Sequence, residues 1–128
     1  MRVLLDTHAF PWWDSDPARL SSRVLALCQD PGNTLVLSVA SVWEMQIKRQ
    51  LGKLKLTLPL ADIITGQQQT NGLEVLSVTL PHALALDDLP AHHKDPFDRL
   101  LIAQAKSEDI ALASNDSVFT QYPIRLLW

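Results

Sequence analysis

Five short apolar runs, at residues 2–6, 34–39, 73–78, 110–114 and 124–128, punctuate the chain, and helical patterns fill the gaps between them. Each run is too continuously apolar for a strand wetted on one face and suits a strand buried on both. The segments at about 18–29, 40–51, 60–70, 80–87 and 96–107 carry apolar residues at helical spacing. The last opens with Asp95 as a cap and Pro96 in the first turn, where a missing N–H costs nothing. Alternation of strand and helix predicts an α/β fold, with a mainly parallel sheet covered by helices on both faces. Such sheets bind ligands in the crevice beyond the carboxyl ends of their strands, so the residues that close each run are candidates for a site.

Two of those residues are acidic. Asp6 closes the first run, after Val3-Leu4-Leu5, and Asp116 follows the fourth. Two further carboxylates lie on the apolar sides of predicted helices: Glu44 shares a face with Ala40, Ile47 and Leu51, and Asp98 with Leu101, Ile102 and Ala105. A carboxylate so placed loses hydration unless a cation or a donor meets it. Each also has an ordinary alternative. Asp6 suits a turn or a cap, Glu44 an i,i+4 pair with Lys48, Asp98 an acidic first turn, and Asp116 a cap on Ser117-Val118-Phe119. Asp95 already caps its helix, which frees Asp98 for a site.

Brought together, four carboxylates repel one another, and the cluster must take up protons or hold a cation. All-oxygen ligands suit Mg²⁺ or Mn²⁺, with water completing the shell. Zinc is disfavoured: there is one cysteine, Cys28, read as a small core residue beside Val24 and Leu25, and His8, His82, His92 and His93 show no ligand spacing. These histidines are assigned to surface or core roles.

With 128 residues, 47% hydrophobic and 20% charged, the chain reads as one domain over 1–128 with one real core. Neither a signal peptide nor an apolar run of roughly 20 residues is visible, so a cytoplasmic location without membrane contact is expected. A net charge of −3 restricts any nucleic-acid contact to a local basic patch.

The residues that carry these signals fall into motifs. They are Leu4-Leu5-Asp6-Thr7-His8, Ser38-Val39-Ala40-Ser41-Val42-Trp43-Glu44 before a Lys-rich turn, His93-Lys94-Asp95-Pro96-Phe97-Asp98-Arg99-Leu100-Leu101-Ile102-Ala103-Gln104-Ala105, and Ala113-Ser114-Asn115-Asp116. Over nearly the whole chain this set resembles the PIN-domain ribonucleases, and among them the VapC-like toxins of type II toxin–antitoxin pairs. The third motif is the most specific.

The resemblance implies a three-layer α/β/α sandwich and a Mg²⁺- or Mn²⁺-dependent endonuclease acting on single-stranded or looped RNA. Asp6, Glu44, Asp98 and Asp116 match the family's four acidic positions, as metal-binding and catalytic residues. Thr7 and Ser114 match hydroxyl positions that orient the acids; many relatives carry threonine where this chain has Ser114, and the hydroxyl is kept. Asp95 stands as a helix cap or accessory residue. Hydrolysis by a metal-activated water would leave a 5′-phosphate and a 3′-hydroxyl. The family usually dimerises, sometimes within a larger assembly, and is held inactive by an antitoxin entering the groove near the acids. Apolar residues of the 18–29 and 60–70 helices are the expected contact surfaces.

Lys48, Arg49, Lys53 and Lys55 crowd four cations beside the Glu44 helix, where they could steer an RNA backbone or form a solvated face. Trp12, Trp13 and Trp43 could stack on bases, or serve in the core or an interface. Two rival readings use the same acids: a non-catalytic module whose acidic groove holds a basic partner segment, and a receiver-like phosphorylation domain. The second lacks a mid-chain aspartate closing a strand and a convincing late lysine.

Overall fold

The apolar runs become the five strands of one sheet: β1 (Arg2–Leu5), β2 (Thr34–Ser38), β3 (Glu74–Leu76), β4 (Ala111–Ala113) and β5 (Leu126–Leu127). All neighbours pair in parallel, in the order β3-β2-β1-β4-β5. The computed structural model describes every residue from Met1 to Trp128. Six helices surround the sheet: α1 (Ala9–Ser15), α2 (Ser22–Gln29), α3 (Val39–Gln50), α4 (Leu60–Asn71), α5 (Leu80–Leu84) and α6 (Pro96–Glu108). No helix is long and apolar enough to cross a membrane.

Strand alternation divides the core in two. Val3, Leu5, Leu35 and Leu37 face one side and pack with Phe10 of α1, Val24 of α2, Met45 of α3, and Leu60 and Ile63 of α4. Leu4, Val36 and Leu112 face the other and pack with Leu101, Ile102 and Ala105 of α6. Helices on both faces explain why the runs are apolar at successive positions. Cys28 is half-buried against the first cluster, and burial pushes its thiol up to about 11.

Two expectations need correction. Helix α1 went unrecognised because Pro11 and the Trp12-Trp13 pair mask its pattern. Pro11 is tolerated there because it is the third residue of the helix, where N–H groups lack intrahelical partners in any case. Helix α2 starts at Ser22 rather than residue 18: Pro17–Arg19 form a separate short 3₁₀ turn, and the Ser21 side chain accepts from Val24 N as the true cap.

The topology fixes where a ligand can sit. From β1 the chain builds outward through β2 and β3, then crosses to β4 and β5 on the other side. A parallel sheet that reverses its winding opens a crevice between the carboxyl ends of the two strands at the switch, here β1 and β4.

Candidate active site

Asp6 leaves the sheet at that switch. Leu5 is in register with Leu37 on one side and Ala113 on the other, so Asp6, Ser38 and Ser114 emerge side by side. Asp6 is 3% exposed. Its Oδ1 accepts from the backbone N–H of His8 at 3.1 Å and of Ala9 at 2.7 Å, which caps the start of α1. Burial raises its carboxyl pKa; the Ser114 hydroxyl and these amides oppose the rise. The cap and the site are therefore the same carboxylate.

Glu44 comes from α3, whose first turn is held by Ser38 accepting from Ala40 N at 3.0 Å. It is 7% exposed. The Thr7 hydroxyl donates to its Oε1 at 2.7 Å and has Ser41 Oγ 3.1 Å away, while Lys48 Nζ lies 3.0 Å from Oε2. The helical ion pair thus forms.

Asp98 sits in the first turn of α6, where Asp95 is the cap, accepting from Phe97 N at 2.8 Å and Asp98 N at 3.1 Å. With its own N–H taken by Asp95, the Asp98 side chain is left for other partners. Its pKa is pushed up to about 7, first by burial and next by the charge of Asp95; Glu44 and Asp6 add to the rise, and His93 opposes it. Asp116 caps the 3₁₀ turn Ser117–Gln121 through Oδ1, which accepts from Val118 N at 3.0 Å. Ser114 Oγ accepts from Asp116 N at 3.1 Å, so Ser114 braces both Asp6 and Asp116.

Sequence reasoning missed His93. Its Nε2 lies 3.0 Å from an oxygen of Asp98 and 3.3 Å from one of Asp116. Asp95 N donates to His93 Nδ1 at 3.3 Å, which leaves the ring proton of the neutral form on Nε2. That atom is buried, and neither carboxylate offers it a hydrogen bond of acceptable angle. The reach from His93 to Asp116 spans 23 positions, a pairing no local ligand spacing can reveal. The clue available in the sequence was its place at the head of the third motif.

One ligand atom from each of His93, Asp98 and Asp116 falls within 4.8 Å of the others. In the tautomer just described His93 offers a proton rather than a lone pair, so the carboxylates are the electron donors here. Asp98 is held near 7 first by burial and then by the neighbouring carboxylates, and an oxygen-rich set of this kind fits a hard divalent cation.

The basic run divides. Lys48 and Lys53 line a pocket of about 270 Å³ with Thr7, His8, Pro11, Trp12, Met45 and Leu54. Arg49 and Lys55 are exposed and line none of it. Of the tryptophans, Trp13 packs on Phe10, and Trp43, largely exposed, meets Phe97 edge-on with ring centroids 5.0 Å apart. Helices α2 and α4 turn their apolar residues onto the core, whereas the exposed large apolar side chains include Val39 and Trp43 of α3, Val78, and Leu80 and Leu84 of α5.

The parallel sheet thus brings Asp6 and Asp116 to its carboxyl edge, and α3 and α6 bring Glu44 and Asp98. The PIN domain family model matches residues 3–124, and the chain belongs to that family. It is homologous to the mycobacterial VapC ribonucleases: ribonuclease VapC22 of Mycobacterium tuberculosis is 27% identical over 115 residues, 89% of this chain and 86% of that protein. Among solved structures, VapBC2 from Rickettsia felis, bound to a DNA fragment from its promoter, matches with a TM-score of 0.71 at 17% identity, covering 99% of this chain and 98% of that one. DNA-bound VapBC from Salmonella typhimurium matches at 0.70 and 16% identity, covering 99% and 97%. At such identities the likeness establishes the fold.

Proposed function

We propose that the chain is a divalent-metal-dependent endoribonuclease and the toxin half of a type II toxin–antitoxin pair. The observation that carries this reading is the arrangement of Asp6, Glu44, Asp98 and Asp116 around one crevice, close enough that Glu44 and Asp6 both raise the pKa of Asp98. Kinship with VapC ribonucleases supports RNA as the substrate, and likeness to VapBC complexes supports an antitoxin partner.

Asp6, Asp98 and Asp116, with Glu44, are the residues that would hold Mg²⁺ or Mn²⁺. When bound, the cation supplies Lewis acidity that polarises a phosphodiester and makes water nucleophilic at neutral pH. The chain's own residues prepare that chemistry. The backbone amides of His8 and Ala9 fix one oxygen of Asp6, Thr7 and Lys48 fix the two oxygens of Glu44, and Asp95 sets the first turn that carries Asp98. His93 places an imidazole N–H edge between Asp98 and Asp116 and limits their mutual repulsion.

The exposed residues Val39, Trp43, Val78, Leu80 and Leu84 are the surface we assign to a homodimer contact, with the antitoxin segment reaching the acidic crevice. The function is tested with purified protein and single-stranded RNA. Cleavage should require Mg²⁺ or Mn²⁺, stop with EDTA, and fall by at least about a hundredfold in Asp6→Asn and Asp98→Asn with the fold intact. Undiminished cleavage in both variants would point instead to a binding module and a contaminating nuclease.

A further inference from the structure

The pocket beside Thr7 differs in chemistry from the acidic crevice it adjoins. None of the four acids lines it; its wall is Thr7, His8, Pro11, Trp12, Met45, Lys48, Lys53 and Leu54. In a chain of net charge −3, its formal charges are both positive. Lys48 connects the two places, since its ammonium lies 3.0 Å from Glu44 while its side chain lines the pocket.

The second lysine is put there by the end of α3. Lys53 N donates to Lys48 O at 2.8 Å and Gly52 N to Arg49 O at 3.1 Å, the paired bonds of a Schellman motif. Gly52 takes the left-handed conformation that the motif requires, with φ +73°, and no atom lies within 4 Å of where a Cβ would stand. The turn brings Lys53 beside Lys48 at the pocket, whereas Lys55, two residues on, lines none of it. The helix terminus itself thereby selects which two of the four clustered cations face one cavity.

The Thr7 hydroxyl proton and the Lys48 ammonium are engaged by Glu44, which leaves Lys53 and the apolar wall to meet a molecule with an anionic end and a flat, weakly polar body. We propose that this pocket is a nucleotide subsite, which holds a nucleotide of the substrate strand next to the scissile phosphate; the ligand class rests on the ribonuclease reading. Lys53 meets the phosphate, and the base packs against Trp12, Pro11 and Leu54. His8 and Trp12 are already in contact, with ring centroids 5.8 Å apart, so the base lies along the aromatic wall rather than between the rings. A volume of about 270 Å³ lies just below the usual range of ligand sites, so the pocket takes no more than one nucleotide unit. The positive lining disfavours a basic peptide segment as its occupant.

The test is an NMR titration of the full chain in Mg²⁺ buffer with each of the four nucleoside 5′-monophosphates and with inorganic phosphate. The subsite predicts shifts at Thr7, Lys53, Leu54 and the Trp12 indole N–H, larger with at least one nucleotide than with phosphate. Lys53→Glu should weaken that binding about tenfold or more, whereas Lys55→Glu, the same charge change outside the pocket, should alter it less than about twofold. With RNA, Lys53→Glu should raise KM and leave kcat nearly unchanged. Equal loss in both variants, phosphate shifts as large as any nucleotide's, or shifts confined to Asp98 and Asp116 would overturn the subsite. So would a glutamate-rich peptide that moves the pocket signals more strongly than every nucleotide. If the wild type cuts RNA while nucleotides leave the pocket unmoved, the subsite alone fails. If nucleotides fill the pocket but no RNA is cut, nucleotide binding at the pocket stands, while the ribonuclease reading fails and with it the placement beside a scissile phosphate.

Discussion

His93 Nε2 stands 3.0 Å from Asp98, and the same atom lies 3.3 Å from Asp116. The imidazole opposes the upward drift of the Asp98 pKa, so its removal should leave Asp98 protonated to higher pH. A protonated carboxyl is a poor metal ligand. His93→Ala should therefore weaken Mn²⁺ binding several-fold at pH 6.5, measured by titration calorimetry, with a smaller deficit at pH 8. A deficit that grows with pH would contradict this role.

The raised pKa of Asp98 also carries a sign for stability. Its ordinary value is 3.8 and its folded value about 7, so between these the unfolded chain ionises while the fold keeps the proton. The stability this group contributes is full below about pH 4 and is lost as pH rises through about 7. In EDTA, Asp98→Asn should thus gain on the wild type as pH rises from 4 to 8. The gain should be on the order of 1–2 kcal/mol once solvent screening is allowed for. Divalent cations should stabilise the wild type much more than the variant. A wild-type-minus-variant difference that does not change with pH would remove the argument.

Thr7 has one hydroxyl proton, and the 2.7 Å contact gives it to the buried Glu44 carboxylate. Thr7→Val keeps the shape and removes the donor, leaving Glu44 with Lys48 alone. Denaturant titration should show a loss of about 1–3 kcal/mol, and Thr7→Ser should restore most of it. A Thr7→Val variant as stable as the wild type, with the loss confined to Thr7→Ser, would mean that packing of the methyl group, not the hydrogen bond, is what matters.

Gln104 is fully buried on α6 and holds the other side of the site's frame. Ser38 Oγ donates to its Oε1 at 2.5 Å, and its Nε2 lies 3.3 Å from Ser77 O and 3.4 Å from His82 Nδ1. Since Ser38 also caps α3, this amide ties α6, which carries Asp98, to the helix that carries Glu44. Gln104→Leu should destabilise by about 1–3 kcal/mol through the unpaired groups it leaves. Cleavage should fall more than stability alone accounts for, because the two acids lose their common support. Wild-type activity in a destabilised variant would show the tie to be structural only.

The strands were legible because burial on both faces leaves an apolar run with little else it can be, and all five runs became strands within a residue or two of their expected ends. Asp6 and Asp116 were legible through the same runs. Helix α1 was not, because its cap is the carboxylate of Asp6, three residues before its start, rather than the residue adjoining it. His93 was hidden for a related reason: its partners are set by the crossing from α6 to β4, and sequence spacing carries no trace of that meeting. The basic run shows a third limit, since only the turn at Gly52 decides that Lys53 joins Lys48 while Arg49 and Lys55 do not.

The central claim is that the converging acids form one divalent-metal centre that cuts RNA by water attack. Mapping the ends of RNA cut by the wild type, with and without Mg²⁺ and beside Asp6→Asn, tests it most directly. Water attack at a metal centre leaves 5′-phosphate and 3′-hydroxyl ends, which should appear only with the metal and vanish in the variant. Cyclic phosphate ends, or the same cuts in EDTA, would contradict it.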